Sequence, residues 1–228
     1  MSSNSSKSSN YFNKSKFSSF SRNMKKPIIF NPHNDKICIN TYPYIQATFI
    51  DPGTTSCGFR TVRFNIRDNN IETLLFSVLN FGKTIEEIIL GVERELTPLI
   101  DNFIYSHYIV IESQPLKRCD VYRTAQHIIS FLLIKIANKG VKGVVVEVDP
   151  KLKTHWIGGP ISKLQNDGIS IKEWSKQKAQ EILHLRNDTL SLSILSSSLR
   201  KGKEDLSDTV CYEYAWWSYY TTRVEIPK

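Results

Sequence analysis

The chain has 228 residues, enough for one sizeable core and too few for two comfortable domains. Its net charge of +8 suits a polyanionic partner, and no apolar run reaches the roughly 18 residues that a membrane-spanning helix needs. Cys38, Cys57, Cys119 and Cys211 have no CxxC spacing, which argues against zinc; with no secretory apolar segment, a reducing compartment is expected.

Residues 1–34 are rich in Ser, Asn and Lys, with six basic residues and no acidic one. Such a segment buries too little apolar area to offset ordering entropy, so a disordered tail is expected ahead of one domain over 35–228. The composition also fits a mitochondrial transit peptide, although Arg22 is its one arginine. The β-branched run ending at Ile50-Asp51 turns through Pro52 and Gly53 and resumes at Gly58. Strands are predicted over 45–51 and 57–67, as a hairpin with an acid at its mouth. A third strand is expected over 71–80 and a helix over 84–103.

Tyr108-Ile109-Val110-Ile111 is a continuous apolar run that suits a strand buried on both faces, predicted over 107–112, and Glu112 stands where that burial stops. Val121, Ala125, Ile128, Ile129, Leu132, Leu133 and Ile136 recur at spacings of three and four, predicting a helix over 118–138 with one apolar face. A strand follows over 142–148, then helices over 171–185, 188–200 and 205–221. The last opens on Asp205 and Asp208, which a helix would hold on one face. Its Trp216, Trp217, Tyr219 and Tyr220 read as core packing before base stacking.

Taken singly, an acid after a strand is commonly a turn former, and one at a helix start a cap. The joint order of Asp51, Glu112, Asp205 and Asp208 favours another reading. Strand-end acids converge at one edge of an α/β sheet, and crowded carboxylates are relieved best by a hard cation. Between the second acid and the last pair, residues 113–203 carry 16 Lys and Arg against 7 Asp and Glu, a net +9. Many charge runs are merely solvated faces. Here Lys117, Arg118, Arg123, Lys151, Lys153 and Lys176 flank the candidate site elements, where a phosphate backbone would pass.

Ile50-Asp51-Pro52-Gly53 with Cys57-Gly58-Phe59, then Ile111-Glu112-Ser113-Gln114, then Lys203-Glu204-Asp205-Leu206-Ser207-Asp208-Thr209, resemble the RNase H-like superfamily. Within it they are similar to the RuvC-type Holliday junction resolvases, particularly those of poxviruses and other large cytoplasmic DNA viruses. Asp149-Pro150-Lys151-Leu152-Lys153, Gly158-Gly159 and Ser175-Lys176 extend the resemblance, which covers about residues 45–220. Thr209 stands where many relatives have alanine or serine, and the spacing from Pro150 to Lys176 is longer than in bacterial enzymes.

The resemblance implies an α/β, RNase H-like fold with a mixed five-stranded sheet flanked by helices. It implies a metal-dependent endodeoxyribonuclease acting on four-way DNA junctions. Asp51, Glu112, Asp205 and Asp208 would ligate two Mg2+ ions, with Mn2+ as the other candidate, and Lys153 and Lys176 would face phosphate. A junction has two symmetric cut sites, so a homodimer is expected, with helix 118–138 at its interface. The implied setting is host cytoplasm at viral replication sites, or the mitochondrion if residues 1–34 are a transit peptide. The alternatives are another RNase H-like nuclease, acting on flap or splayed DNA or an RNA–DNA hybrid, and an actin-like nucleotide-binding protein.

Overall fold

The computed structural model describes residues 25–33, 42–65, 68, 70–158 and 169–223, without the side chains of the last four. Six strands form one mixed sheet: β1 (Ile28–Phe30), β2 (Tyr44–Asp51), β3 (Cys57–Asn65), β4 (Ile71–Leu79), β5 (Tyr108–Glu112) and β6 (Val144–Val148). Their order is β1-β6-β5-β2-β3-β4. Seven helices accompany them: α1 (Ile85–Leu96), α2 (Ile100–Phe103), α3 (Cys119–Lys139), α4 (Leu152–Ile157), α5 (Ile171–Leu185), α6 (Thr189–Ser197) and α7 (Arg200–Arg223). β2, β5 and β6 are mutually parallel. Asp51, Glu112 and the turn at Asp149 therefore leave the sheet at one edge.

Side chains alternate across a strand, and this parity decides what each face carries. In β5, Ile109 and Ile111 join a core with Val92 and Leu96 of α1 and Ile128 and Leu132 of α3. Tyr108 and Val110 point the other way, toward Trp156 of α4 and Trp216 of α7. In β2, Ile50 belongs to the first face, and Ile45, Ala47 and Phe49 to the second. Continuing the alternation carries both Asp51 and Glu112 to the α7 side. Trp216 and Trp217 are buried core residues, as expected, while the Tyr220 side chain lies outside the described residues.

Four expectations change. The sheet has six strands, because Ile28–Phe30, placed by sequence in the basic tail, pairs antiparallel with β6 through Ile28↔Glu147, Ile29↔Val146 and Phe30↔Val145. Three residues show little periodicity, so backbone pairing to a ready edge decided their state. Residues 1–24 of that tail lie outside the described residues. The helix expected over 84–103 is two, because Pro98 lacks the N–H that would continue the α1 hydrogen-bond ladder.

α4 has no counterpart among the expected elements; its six residues are closed by Gly158 at φ 76, the left-handed conformation glycine tolerates. Finally, α7 begins at Arg200 rather than 205. Gly202 obscures that start, yet it packs within the first turn against Val78 of β4. Asp205 and Asp208 thus lie beyond the first turn, where a capping role does not apply. Among the described residues no helix is long and apolar enough to cross a membrane.

Candidate active site

α7 crosses the sheet at Gly58 of β3, the residue paired with Asp51 of β2. A Cβ on Gly58 would lie 2.6 Å from the Asp205 carbonyl oxygen and 3.0 Å from Thr209 Cγ2. Only glycine lets the helix backbone come this near. The close approach delivers Asp205 and Asp208 to the edge where Asp51 and Glu112 emerge.

Each carboxylate of the helical pair has a hydroxyl donor. Ser56 Oγ donates to Asp205 Oδ2, and Ser175 Oγ of α5 donates to Asp208 Oδ1 at 2.5 Å. Asp208 Oδ2 receives Lys153 Nζ of α4 at 2.7 Å in a pair whose lysine side chain is only 9 % exposed. Burial alone would lower the Lys153 pKa. Asp208, Glu112 and Asp51 outweigh it and raise the value above that of an ordinary lysine. One buried ammonium therefore answers three carboxylates.

The acids record the same crowding. Burial pushes the Asp51 pKa well above the usual carboxylate value, and Glu112, Asp208 and Asp205 add to it while Lys153 opposes it. Glu112 is raised chiefly by burial, against the pull of Lys153 and a hydrogen bond with Tyr212. Asp205 is raised to about 6, mainly by burial with Asp208 adding to it, while Ser56, Lys201 and Lys172 counteract.

Tyr212 is the support that sequence reading missed. It lies one turn past Asp208 on α7, and its single hydroxyl proton is shared between the Pro150 carbonyl, at 3.0 Å, and the neighbouring Glu112 carboxylate. Lys153 Nζ sits 4.9 Å from its ring centroid. Ser56 and Ser175 were likewise absent from the expected site. Tyr212 at i+4 from Asp208 was a readable signal; the serines had none, since each meets its acid across more than 30 residues.

The lysines divide. Lys153 enters the cluster, whereas Lys176 Nζ pairs with Glu173 Oε2 at 2.5 Å on its own helix. Lys176 is thus not brought to the four acids; its neighbour Ser175 is. Lys117 and Arg118 are exposed between β5 and α3, Arg123 is exposed in the first turns of α3, and Lys151 is exposed before α4. All four follow strands that end at the acidic edge. Glu204 stays apart, paired with Lys172 at 2.6 Å and Arg200 at 3.8 Å.

Among the described residues, no three His, Cys, Asp or Glu side chains already form a coordination shell. The donor set nonetheless fits a hard divalent cation. Its donors are carboxylate oxygens, they raise one another's proton affinity, and Lys153 now supplies the positive charge they require.

No family model matches the chain, and no curated protein matches it by sequence. Solved structures do. The yeast mitochondrial Holliday junction resolvase Ydc2 superposes with a TM-score of 0.60 at 15 % identity, over 79 % of this chain and 82 % of that one. The chain shares the RNase H-like fold of that resolvase. Thermus thermophilus RuvC, solved with a Holliday junction substrate, agrees at a TM-score of 0.50 and 14 % identity, over 78 % of this chain and 96 % of that one. The fowlpox virus Holliday junction resolvase gives 0.47 at 16 % identity.

Proposed function

We propose that this protein is a structure-selective endodeoxyribonuclease that resolves four-way DNA junctions by metal-assisted phosphodiester hydrolysis. The observation that carries the reading is the cluster itself. Asp51, Glu112 and Asp208 gather around the buried Lys153 ammonium, with Asp205 beside Asp208, at the carboxyl edge of a resolvase fold. Asp51, Glu112 and Asp208, with Asp205 beside them, would hold two Mg2+ or Mn2+ ions. Such ions supply a deprotonated water nucleophile and neutralise charge on the leaving oxygen.

The chain's own groups do the rest. Tyr212 holds Glu112 through its hydroxyl, and Ser56 and Ser175 fix the rotamers of Asp205 and Asp208. Lys153 offsets the carboxylates and remains near enough to answer phosphate charge as it develops. Lys117, Arg118, Arg123 and Lys151 give sequence-independent affinity for the backbone, so binding falls with salt. Lys176, engaged with Glu173, contributes to phosphate binding only after leaving that partner.

The active form we propose is a homodimer through α3. Ile134 of α3 and Ile89 and Leu90 of the adjacent α1 are exposed apolar side chains that a twofold contact would cover. For the setting we propose host cytoplasm at viral replication sites. The yeast mitochondrial neighbour supports the other choice, and import of a reporter fused to residues 1–34 distinguishes them.

The test is a synthetic four-way junction, a linear duplex and an RNA–DNA hybrid, each with Mg2+ and with EDTA. Paired symmetric nicks in the junction alone, lost in EDTA, are expected. Asp51→Asn and Glu112→Gln should bind the junction and leave it uncut. Undiminished cleavage by both variants overturns the assignment. Cleavage of the hybrid favours a different RNase H-like nuclease, and nucleotide binding without cleavage favours an actin-like protein.

A further inference from the structure

Asp205 and Asp208 owe their position to α7, and α7 is tied to the sheet by an ion network set apart from the acidic cluster. Arg60 of β3 is fully buried. Its Nε donates to Glu213 Oε2 of α7 at 3.1 Å, Nη1 to Ser191 Oγ of α6 at 2.9 Å, and Nη2 to Asp188 Oδ2 at 3.0 Å. Glu213, equally buried, also accepts from Arg186 Nη1 at 2.7 and 2.9 Å. Asp188 receives the Thr73 hydroxyl at 2.7 Å and caps α6 through Ser191 N at 3.0 Å. The Phe76 ring lies 4.9 Å from the guanidinium.

A buried ion pair is seldom better for stability than apolar side chains of the same volume, so stability alone is a weak reason for one here. Geometry offers a stronger reason. Gly58 and Arg60 are alternate residues on the same face of β3. Gly58 meets the α7 backbone at Asp205, and Arg60 meets Glu213, eight residues or about 12 Å further along the helix. The Gly58 contact limits how near the helix lies, but a smooth packed surface still permits it to turn or slide. A guanidinium with three directional bonds to three partners does not.

We propose that Arg60 and Glu213 are positioning residues for the catalytic centre. Their buried pair sets the rotation and axial register of α7, so that Asp208 and Asp205 meet Asp51 and Glu112. The inference rests on the nuclease reading. It adds that metal affinity is set partly from further along the helix, by residues that touch neither metal nor DNA.

The test uses the full chain. Mn2+ binding is followed by the electron paramagnetic resonance of the free ion, beside junction binding in EDTA, single-turnover cleavage and far-UV circular dichroism. Glu213→Gln keeps the shape and removes the charge. The expected result is a folded variant that binds the junction as wild type does, with Mn2+ affinity and cleavage each reduced roughly tenfold or more, the range for outer-shell supports of a metal site. Added Mn2+ should restore most of its cleavage rate, which a merely loosened fold would not show.

Should Glu213→Gln not fold, two variants take its place. Arg60→Met with Glu213→Leu replaces the ions by apolar bulk, and Asp188→Asn weakens the same lock at its partly exposed end. A folded variant from this set with wild-type Mn2+ affinity and cleavage overturns the proposal. Wild-type protein that neither binds Mn2+ nor cuts the junction overturns the nuclease reading instead.

Discussion

The two faces of the sheet solve opposite problems. Beneath α1 and α3, Ile109, Ile111, Ile128, Leu132 and their neighbours make a dry apolar layer whose role is cohesion. Beneath α7, the same strands present Gly58, Arg60, Asp51 and Glu112, and that side holds Arg60, Lys153 and Glu213, all buried, beside the four half-buried clustered acids. One face follows the hydrophobic effect, and the other holds repelling groups in place against their own electrostatics. The contrast explains why α7 is anchored at Gly58, at Tyr212 and at Glu213, whereas α3 packs through its apolar stripe, with Lys135–Glu93 and Lys139–Asp101 pairs at its surface.

Perturbing one face at a time sharpens this division. Lys153→Met should have the largest effect, because it strips the counter-charge from Asp208, Glu112 and Asp51. A loss of about 3 to 5 kcal/mol in EDTA is expected by urea denaturation, partly recovered by Mn2+. Recovery tells an electrostatic loss from a packing loss. Ile128→Ala, on the apolar face, should cost about 2 to 5 kcal/mol with no such recovery. An Mn2+-dependent recovery for Ile128→Ala would break the distinction between the faces.

The ion network predicts a pH dependence. Burial alone would raise the Asp188 pKa, but bonds from Ser191 and Thr73 and the Arg60 charge hold it below 3.8. A lowered carboxyl contributes stability that is present above its unfolded pKa and is lost as pH falls through the folded value. Wild type should therefore lose stability as pH drops below about 3.8. Asp188→Asn should show a shallower loss in acid melting curves. The smallest effect belongs to the surface of the apolar side. Thr84 caps α1, accepting from Glu87 N while Glu87 accepts from Thr84 N. Thr84→Ala should lower the melting temperature by about 2–4 °C and leave cleavage unchanged.

Much of the molecule is legible in its residue patterns alone. The strands ending at Asp51 and Glu112 are marked by β-branched runs stopping at an acid, and α3 by its spacing of three and four. Other parts carry no such mark. β1 is three residues held by pairing to β6, and α4 is a single short helix closed by Gly158. Lys153 and Lys176 look alike in sequence, yet one is buried among carboxylates and the other pairs along its own helix. A local pattern does not report which partner lies across the sheet.

By itself the sequence determined the four acids, their order on two strands and a helix, and the basic stretch between them. Strand parity is local, but that Asp51 and Glu112 share one face of the sheet depends on the register of β2 against β5. Tertiary structure decided everything that depends on how near α7 comes. Gly58 admits its backbone, Arg60 engages Glu213, and Tyr212, Ser56 and Ser175 meet acids from distant parts of the chain. Periodicity and propensity are written over a few residues. Convergence of repelling charges is not, because only packing from the rest of the fold can hold them together.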